Sequence, residues 1–154
     1  MQRFSIVAAC AALFVCSSAS NPAPVLCGSG AVDGVWDLPL TSGGNGQLTG
    51  LLFVGSTATV AYTFTATLTD VPTPCLSCIE GEVDGVLDDG IGPGPDFLVR
   101  GHYRGLFLNG TGQYWAQVLT PTGAHVAGRI GGTFSDPLAL PGPGTFDGRW
   151  RVCR

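Results

Sequence analysis

The chain of 154 residues contains no lysine, one methionine and only two histidines, and charged residues make up 12% of it. Eleven acidic residues stand against seven arginines, so the formal net charge is −4. Because no basic cluster with interleaved aromatic residues is present, the sequence disfavours nucleic-acid binding. No long apolar run follows the first twenty residues. We therefore expect a soluble mature protein without a stable membrane span.

The first twenty residues resemble a secretory signal. Arg3 gives a positive start, residues 4–15 are apolar, and residues 18–20 are the small residues of a cleavage site. We predict a signal peptide over 1–20 and a single secreted β-barrel domain over 21–154. The protein is then secreted, periplasmic or at the cell surface. Cys10 and Cys16 would permit a lipoprotein instead, but the residues before them favour cleavage over lipidation.

Glycine and proline are abundant, with 24 and 11 residues, and they favour turns over long helices. The clearest strand runs from Thr57 to Thr69, where apolar residues alternate with threonines. Short connections such as Asn109–Gly110 favour pairing of each strand with the next. We predict an all-β fold, an eight-stranded antiparallel up-and-down barrel or a barrel-like sandwich. The predicted strands are 31–38, 46–54, 57–69, 78–87, 96–106, 112–119, 124–133 and 145–153.

Triplets in which small and bulky residues alternate recur along the chain, as in Gly81-x-Val83-x-Gly85 and Gly101-x-Tyr103-x-Gly105. Residues two apart on a strand share a face, so a bulky side chain can fill the notch that a glycine leaves on the next strand. This pattern predicts a filled interior and suggests cross-strand registers. The predicted pairs are Gly81 with Tyr103, Glu80 with Arg104, Glu82 with His102, Asp84 with Arg100, Gly105 with Tyr114, Tyr103 with Ala116, Trp115 with Arg104, Gly128 with Trp150, and Ile130 with Gly148.

Four cysteines remain after the signal, and export favours disulfides. They allow three connectivities. An up-and-down barrel places Cys27 and Cys153 at one end and Cys75 and Cys78 at the other, so we predict the disulfides Cys27–Cys153 and Cys75–Cys78. A redox pair at Cys75 and Cys78 is the alternative, but a strand follows it where redox proteins have a helix. A zinc site needs all four cysteines together, and we predict neither a metal nor a cofactor.

The segment Gly34-Val35-Trp36, followed by residues 45–50 (Asn-Gly-Gln-Leu-Thr-Gly), resembles the opening of calycin-type barrels such as lipocalins and avidins. This resemblance implies an eight-stranded barrel. It also implies that an arginine of the final strand, Arg149 or Arg151, stacks on Trp36. No avidin-like ligand set follows Trp36, so the resemblance implies no ligand specificity.

Several polar residues are candidates for binding. Acidic residues from Glu80 to Asp96 predict a solvated strand face paired with arginines, with calcium at Asp88, Asp89 and Asp96 as the alternative. Trp115 shares its polar face with glutamines and is a candidate contact for a sugar or a protein, and an arginine stacked on its ring is the alternative. Asn109 begins a glycosylation acceptor sequence. Four arginines should converge near the last strands: Arg129, Arg149, Arg151 and Arg154. We expect acids such as Asp37 and Asp147 to intervene between them, with a bound anion as the alternative.

The sequence is compatible with three functions. The first is a secreted, non-enzymatic structural or interaction module of unknown specificity, with a protein, a glycan or a small apolar ligand as candidate partners. The second is an apolar-ligand-binding barrel, which requires an enclosed pocket above about 300 Å³. The third is a hydrolase-like enzyme, in which His102 or His125 meets carboxylates in a cleft. The predicted ligand contacts of the second are Trp36, Tyr62, Phe64, Tyr103, Tyr114 and Trp150.

Overall fold

The structure is a computed structural model that describes residues 26–37, 45–75, 77–106, 110–135 and 143–153. The predicted signal peptide, the acceptor Asn109 and the terminal Arg154 lie outside the described residues. In the described ranges the chain forms strands, turns and bends without a helix.

Eight antiparallel strands form a closed barrel in which each strand pairs with the next and β8 pairs back with β1. This confirms the predicted all-β, up-and-down barrel and decides against its alternative, the barrel-like sandwich. The strands are β1 (Cys27–Asp37), β2 (Asn45–Phe53), β3 (Val60–Asp70), β4 (Cys78–Asp88), β5 (Phe97–Leu106), β6 (Thr111–Leu119), β7 (Val126–Ser135) and β8 (Gly144–Cys153).

The largest differences from the predicted bounds have local causes. β3 begins at Val60 rather than at Thr57 because the backbone N–H and the hydroxyl of Thr57 both donate to the Val54 carbonyl, which makes a turn. β1 begins four residues earlier than predicted, at Cys27, because β8 supplies a partner along its length as far as Cys153.

Alternate residues of every strand face an apolar interior. In β2, for example, Gly46, Leu48, Gly50 and Leu52 are buried while the residues between them are exposed. Among the described residues the core contains no buried charged side chain. Aromatic rings meet edge to face there, as between Trp36 and Phe134 at 5.2 Å and between Tyr62 and Trp150 at 5.7 Å.

Interior glycines receive aromatic rings, as the triplets predicted. The Phe146 ring lies against Gly34 of β1 and Gly50 of β2, so a methyl group at either glycine would collide with it. Phe134 of β7 lies in the same way against Gly105 and Gly112. The glycines therefore set how closely the rings approach the barrel wall.

The register of β4 and β5 is confirmed, including Gly81 opposite Tyr103 and all three predicted pairs of their outer face. The register predicted for β5 and β6 is wrong by two residues, since Tyr103 lies opposite Tyr114 and Gly105 lies opposite Gly112. Two glycines side by side form one wide notch, and Phe134 fills both halves. A shift of two residues leaves every side chain on its predicted face.

The same error occurs between β7 and β8, where Gly128 lies opposite Val152 and Ile130 opposite Trp150. Here too glycines stand together, with Gly132 opposite Gly148. The hydroxyl of Tyr114, on β6, lies where a side chain at position 148 would begin. The predicted pairs Gly128–Trp150 and Ile130–Gly148 are thus wrong, although the interior location of these residues is right.

Both predicted disulfides are present, Cys27–Cys153 and Cys75–Cys78. The first joins the start of β1 to the end of β8, where the two cysteines are register partners. The second joins two cysteines whose sequence separation is 3, and the later one, Cys78, begins β4. Two disulfides are compatible with an extracellular location.

Candidate functional site

The interior of the barrel is nearly full. Its central cavity measures about 20 Å³ and is lined by apolar and aromatic side chains. Such a volume accommodates about one water molecule, whereas ligand pockets measure about 300–1,000 Å³. Five of the six predicted ligand contacts are buried and Tyr62 is partly buried. Their role as ligand contacts stays a prediction, which this packing does not favour.

Two tyrosine hydroxyls lie within the core. The Tyr114 hydroxyl donates to the Asp147 carbonyl over 3.4 Å. The Tyr103 hydroxyl is buried and has no hydrogen-bond partner among the described residues. Burial raises the pKa of both phenols well above the usual value, and the nearby charges of Asp70 on Tyr103 and of Asp147 on Tyr114 add to this. Neither phenol can therefore act as a base near neutral pH.

Removing the Tyr103 hydroxyl should not harm the fold. We expect the Tyr103→Phe variant to keep or gain stability, by about 1 kcal/mol, because a buried hydroxyl without a partner carries a desolvation cost. Tyr114→Phe is the matched control and should lose about 0.5–1 kcal/mol with its hydrogen bond. Urea unfolding of both variants measures the difference. A clear loss of stability in Tyr103→Phe would show that its hydroxyl is hydrogen-bonded in solution.

Three carboxylates meet in the loop between β4 and β5. Oxygens of Asp88, Asp89 and Asp96 lie within 4.8 Å of one another. Each also accepts a backbone N–H over 2.8 Å, namely from Gly90, Ile91 and Asp89 respectively. These bonds explain why the acids converge, and a calcium ion at this loop stays a prediction.

The outer face of β5 to β7 carries an exposed aromatic ring. Trp115 is 50% exposed, whereas Trp36 and Trp150 are 7% and 4% exposed. It lies opposite His102 of β5, with ring centroids 6.0 Å apart, and opposite Gly131 of β7. The predicted neighbour Arg104 lies opposite Gln113 instead, because of the register shift. Since Gly131 has no side chain, that flank of the indole is open.

Trp115 forms part of a shallow depression of about 400 Å³. Its rim is polar, and within the described part of the chain the indole N–H has no hydrogen-bond partner. By contrast, the indole N–H groups of Trp36 and Trp150 donate to the carbonyls of Thr145 and Phe53. The side chains around Trp115 in the depression are Glu82, Asp84, Arg100, His102 and Gln117.

Acidic residues of β4 pair with arginines of β5, as predicted. Arg100 contacts Asp84 at 3.8 Å and Arg104 contacts Glu80 at 4.0 Å. Both pairs are largely exposed, so each contributes little to stability. They pair two of the four acidic residues of β4 with arginines.

The arginines of β7 and β8 have a different environment. Arg129 lies directly opposite Arg151, and Arg149 lies opposite Gly131 and Ala31. Over the described ranges none of the three has a carboxylate within 4.0 Å. We call Arg129, Arg149 and Arg151 the arginine cluster.

The acids expected to intervene do not pair with this cluster. Asp147 accepts a hydrogen bond from the Thr133 hydroxyl over 2.9 Å and lies opposite Asp33. Asp37 lies opposite Gln47 at the other end of β1. The predicted stacking of Arg149 or Arg151 on Trp36 is also wrong, because Trp36 is buried in the core and both arginines are exposed on the outer face.

The histidines lie apart from each other. His102 lies on the outer face of β5 opposite Glu82, and His125 is exposed in the loop before β7. The Thr120 hydroxyl accepts the backbone N–H of His125. His102 thus shares the open depression with Glu82 and Asp84, of which Asp84 is paired with Arg100.

Sequence reasoning identified Trp115 and the arginines but missed the residues that join them. Gly131 was assigned to no site, although it separates Trp115 from Arg149 on the outer face. The alternation of exposed residues along β7 could have placed it there once the register was known.

Comparison of the chain with protein-family models, curated proteins and solved structures finds no match. The resemblance to calycin-type barrels therefore stays a prediction beyond the eight-stranded barrel itself. No helix in the described residues is long and apolar enough to cross a membrane.

Proposed function

We propose that this protein is a secreted, non-enzymatic interaction module that binds carbohydrate on the outer face of β4, β5 and β6. The observation that carries the proposal is Trp115, a half-exposed indole ring set in a polar depression. The filled interior supports an outer rather than an inner binding site.

The chemistry of the depression suits a sugar ring. The face of an indole is electron-rich and attracts the slightly positive C–H groups of one side of a sugar. Gln113 and Gln117 lie on the same face of β6, two residues on either side of Trp115, and their amides can both donate and accept hydrogen bonds. His102 and Arg100 supply further groups for hydroxyls at the rim.

A protein partner fits this surface less well. Stable protein interfaces bury about 800 Å² on each partner around several desolvated apolar anchors. Here one aromatic ring stands among charged and amide side chains. A small platform with many hydrogen-bonding groups is the arrangement that a glycan needs.

Replacing Trp115 by alanine should lower glycan affinity at least tenfold, because an aromatic anchor at the centre of a site commonly accounts for about 2 kcal/mol. A glycan array with the disulfide-bonded protein identifies the ligand, and titration of the hit gives the affinity. Leu51→Ala is the matched control, since Leu51 is an exposed apolar residue on the outer face of β2, across the barrel from β6.

Tryptophan fluorescence gives a second readout. Because the other two tryptophans are buried, a bound glycan should chiefly protect Trp115 from a soluble quencher such as acrylamide. Absence of any glycan hit, or full affinity in Trp115→Ala, would refute the proposal.

A further inference from the structure

We infer that the ligand is an acidic glycan, whose sulfate or carboxylate groups bind the arginine cluster while a sugar ring stacks on Trp115. This inference rests on the proposed carbohydrate-binding function and names the class of ligand.

The arginine cluster is an unpaired positive patch on an acidic protein. The formal net charge is −4, and both described arginines of β5 contact carboxylates. The three arginines of β7 and β8 are exposed and contact no carboxylate among the residues that the structure describes. Like charges opposite one another destabilise a sheet, so the Arg129–Arg151 pair has a cost that a bound anion would remove.

The surroundings of the cluster leave it accessible. On the outer face its cross-strand neighbours are uncharged, namely Gln117 beside Arg129, Ser29 beside Arg151, and Ala31 and Gly131 beside Arg149. Asp147 lies two residues along β8 from Arg149, and its carboxylate is held by Thr133. Among the described residues, the three guanidinium groups therefore make no ion pair or hydrogen bond that an anion would have to displace. The acids Asp33 and Asp147, which lie opposite each other, are two residues along their strands from the Ala31–Arg149 pair.

The cluster lies on the strands next to the Trp115 depression, whose lining residues come from β4, β5 and β6. Across the sheet, Trp115, Gly131 and Arg149 are successive partners, and so are Gln117, Arg129 and Arg151. Adjacent strands lie about 4.8 Å apart, so Arg149 stands roughly 10 Å from Trp115 across the gap left by Gly131. One extended ligand can reach both.

The residue types favour oxyanions. Guanidinium groups bind carboxylate, sulfate and phosphate groups through two parallel hydrogen bonds. A polymer that combines sugar rings with such groups satisfies the stacking platform and the cluster together. An acidic polypeptide has carboxylates for the arginines but has no sugar ring to stack on the indole. A phospholipid surface would have to place its headgroups against a curved barrel wall.

The test compares the same polymer with and without charge. The intact protein should bind dextran sulfate at least tenfold more tightly than dextran at low salt. The double variant Arg129→Gln/Arg151→Gln should bind the two polymers equally. Its slope of log affinity for dextran sulfate against log salt concentration should be smaller by about two, one for each arginine removed, because fewer counterions are released from the polyanion. Arg104→Gln, which changes an arginine paired with Glu80 outside the depression, should keep the preference for dextran sulfate.

Five results would overturn the inference. The first four are equal binding of dextran and dextran sulfate, an unchanged preference in Arg129→Gln/Arg151→Gln, and binding of polyglutamate or of phosphatidylserine vesicles as tight as that of dextran sulfate at equal charge. The fifth is binding of an oligonucleotide as tight as that of dextran sulfate at equal charge. Melting temperatures of the variants verify folding, which substitution of exposed side chains should preserve.

The Trp115→Ala variant separates the two proposals. If it weakens both polymers while Arg129→Gln/Arg151→Gln weakens neither, the carbohydrate function stands and the acidic-glycan inference fails. If only the arginine variant weakens dextran sulfate and Trp115→Ala changes nothing, the carbohydrate function fails, and with it the ligand that spans both sites.

Discussion

Alanine at Gly132 should destabilise the barrel by about 3 kcal/mol, whereas alanine at the adjacent Gly131 should change its stability by less than about 1 kcal/mol. Both glycines belong to β7, but they face opposite sides of the wall. At Gly132 a new methyl group would collide with the backbone of Asp147 and Gly148, and that backbone cannot yield without opening the pairing of β7 and β8.

At Gly131 the nearest atom to a new methyl group is the Tyr114 carbonyl oxygen at 3.1 Å, followed by the Trp115 Cα at 3.6 Å. A small adjustment relieves that contact, and the lower flexibility of alanine in the unfolded chain offsets part of its cost. Urea unfolding followed by circular dichroism measures both variants. Similar losses at the two positions would contradict the proposed packing of the wall.

Loss of the Cys27–Cys153 disulfide should cost about 5 kcal/mol, and loss of Cys75–Cys78 about 2 kcal/mol. The first pair is separated by 126 residues along the chain and the second by 3. A crosslink stabilises mainly by restricting the unfolded chain, and a longer loop is restricted more. Since domains of this kind are stable by only about 5–15 kcal/mol, the first loss would bring the barrel close to unfolding.

Paired substitution of each disulfide by serine, followed by urea unfolding, tests this order. The strand pairing of β1 with β8 remains in either variant, so the folded barrel should still close. A larger loss for Cys75→Ser/Cys78→Ser than for Cys27→Ser/Cys153→Ser would show that the local disulfide holds a structure needed by β4, and that chain entropy is not the dominant effect.

The strands and their faces could be predicted because they depend on local alternation. The threonine-rich β3 shows this, since Phe64, Ala66 and Leu68 are buried and the threonines between them are exposed. Disulfide pairing followed from strand order alone, because an up-and-down barrel determines which end each strand terminus occupies.

The registers of β5 with β6 and of β7 with β8 could not be predicted by matching small residues to large ones across one pair of strands. Phe134 fills a notch made by two other strands, at Gly105 and Gly112, so three strands decide the packing together. The neighbours of Trp115 in the candidate site could not be predicted for the same reason. Its Trp115 was visible in the sequence, but its neighbours His102 and Gly131 depend on the register.

The sequence by itself determined eight strands and which of their residues face inward or outward, since alternation along a strand is independent of its partner. Only the tertiary structure decided that these strands close into a barrel rather than form a barrel-like sandwich. The tertiary structure alone decided that the interior is filled to about 20 Å³ and that Trp115 shares one surface with the arginine cluster. Both depend on how residues far apart in the chain meet across the barrel wall, and local pattern carries no information on a shift of two residues.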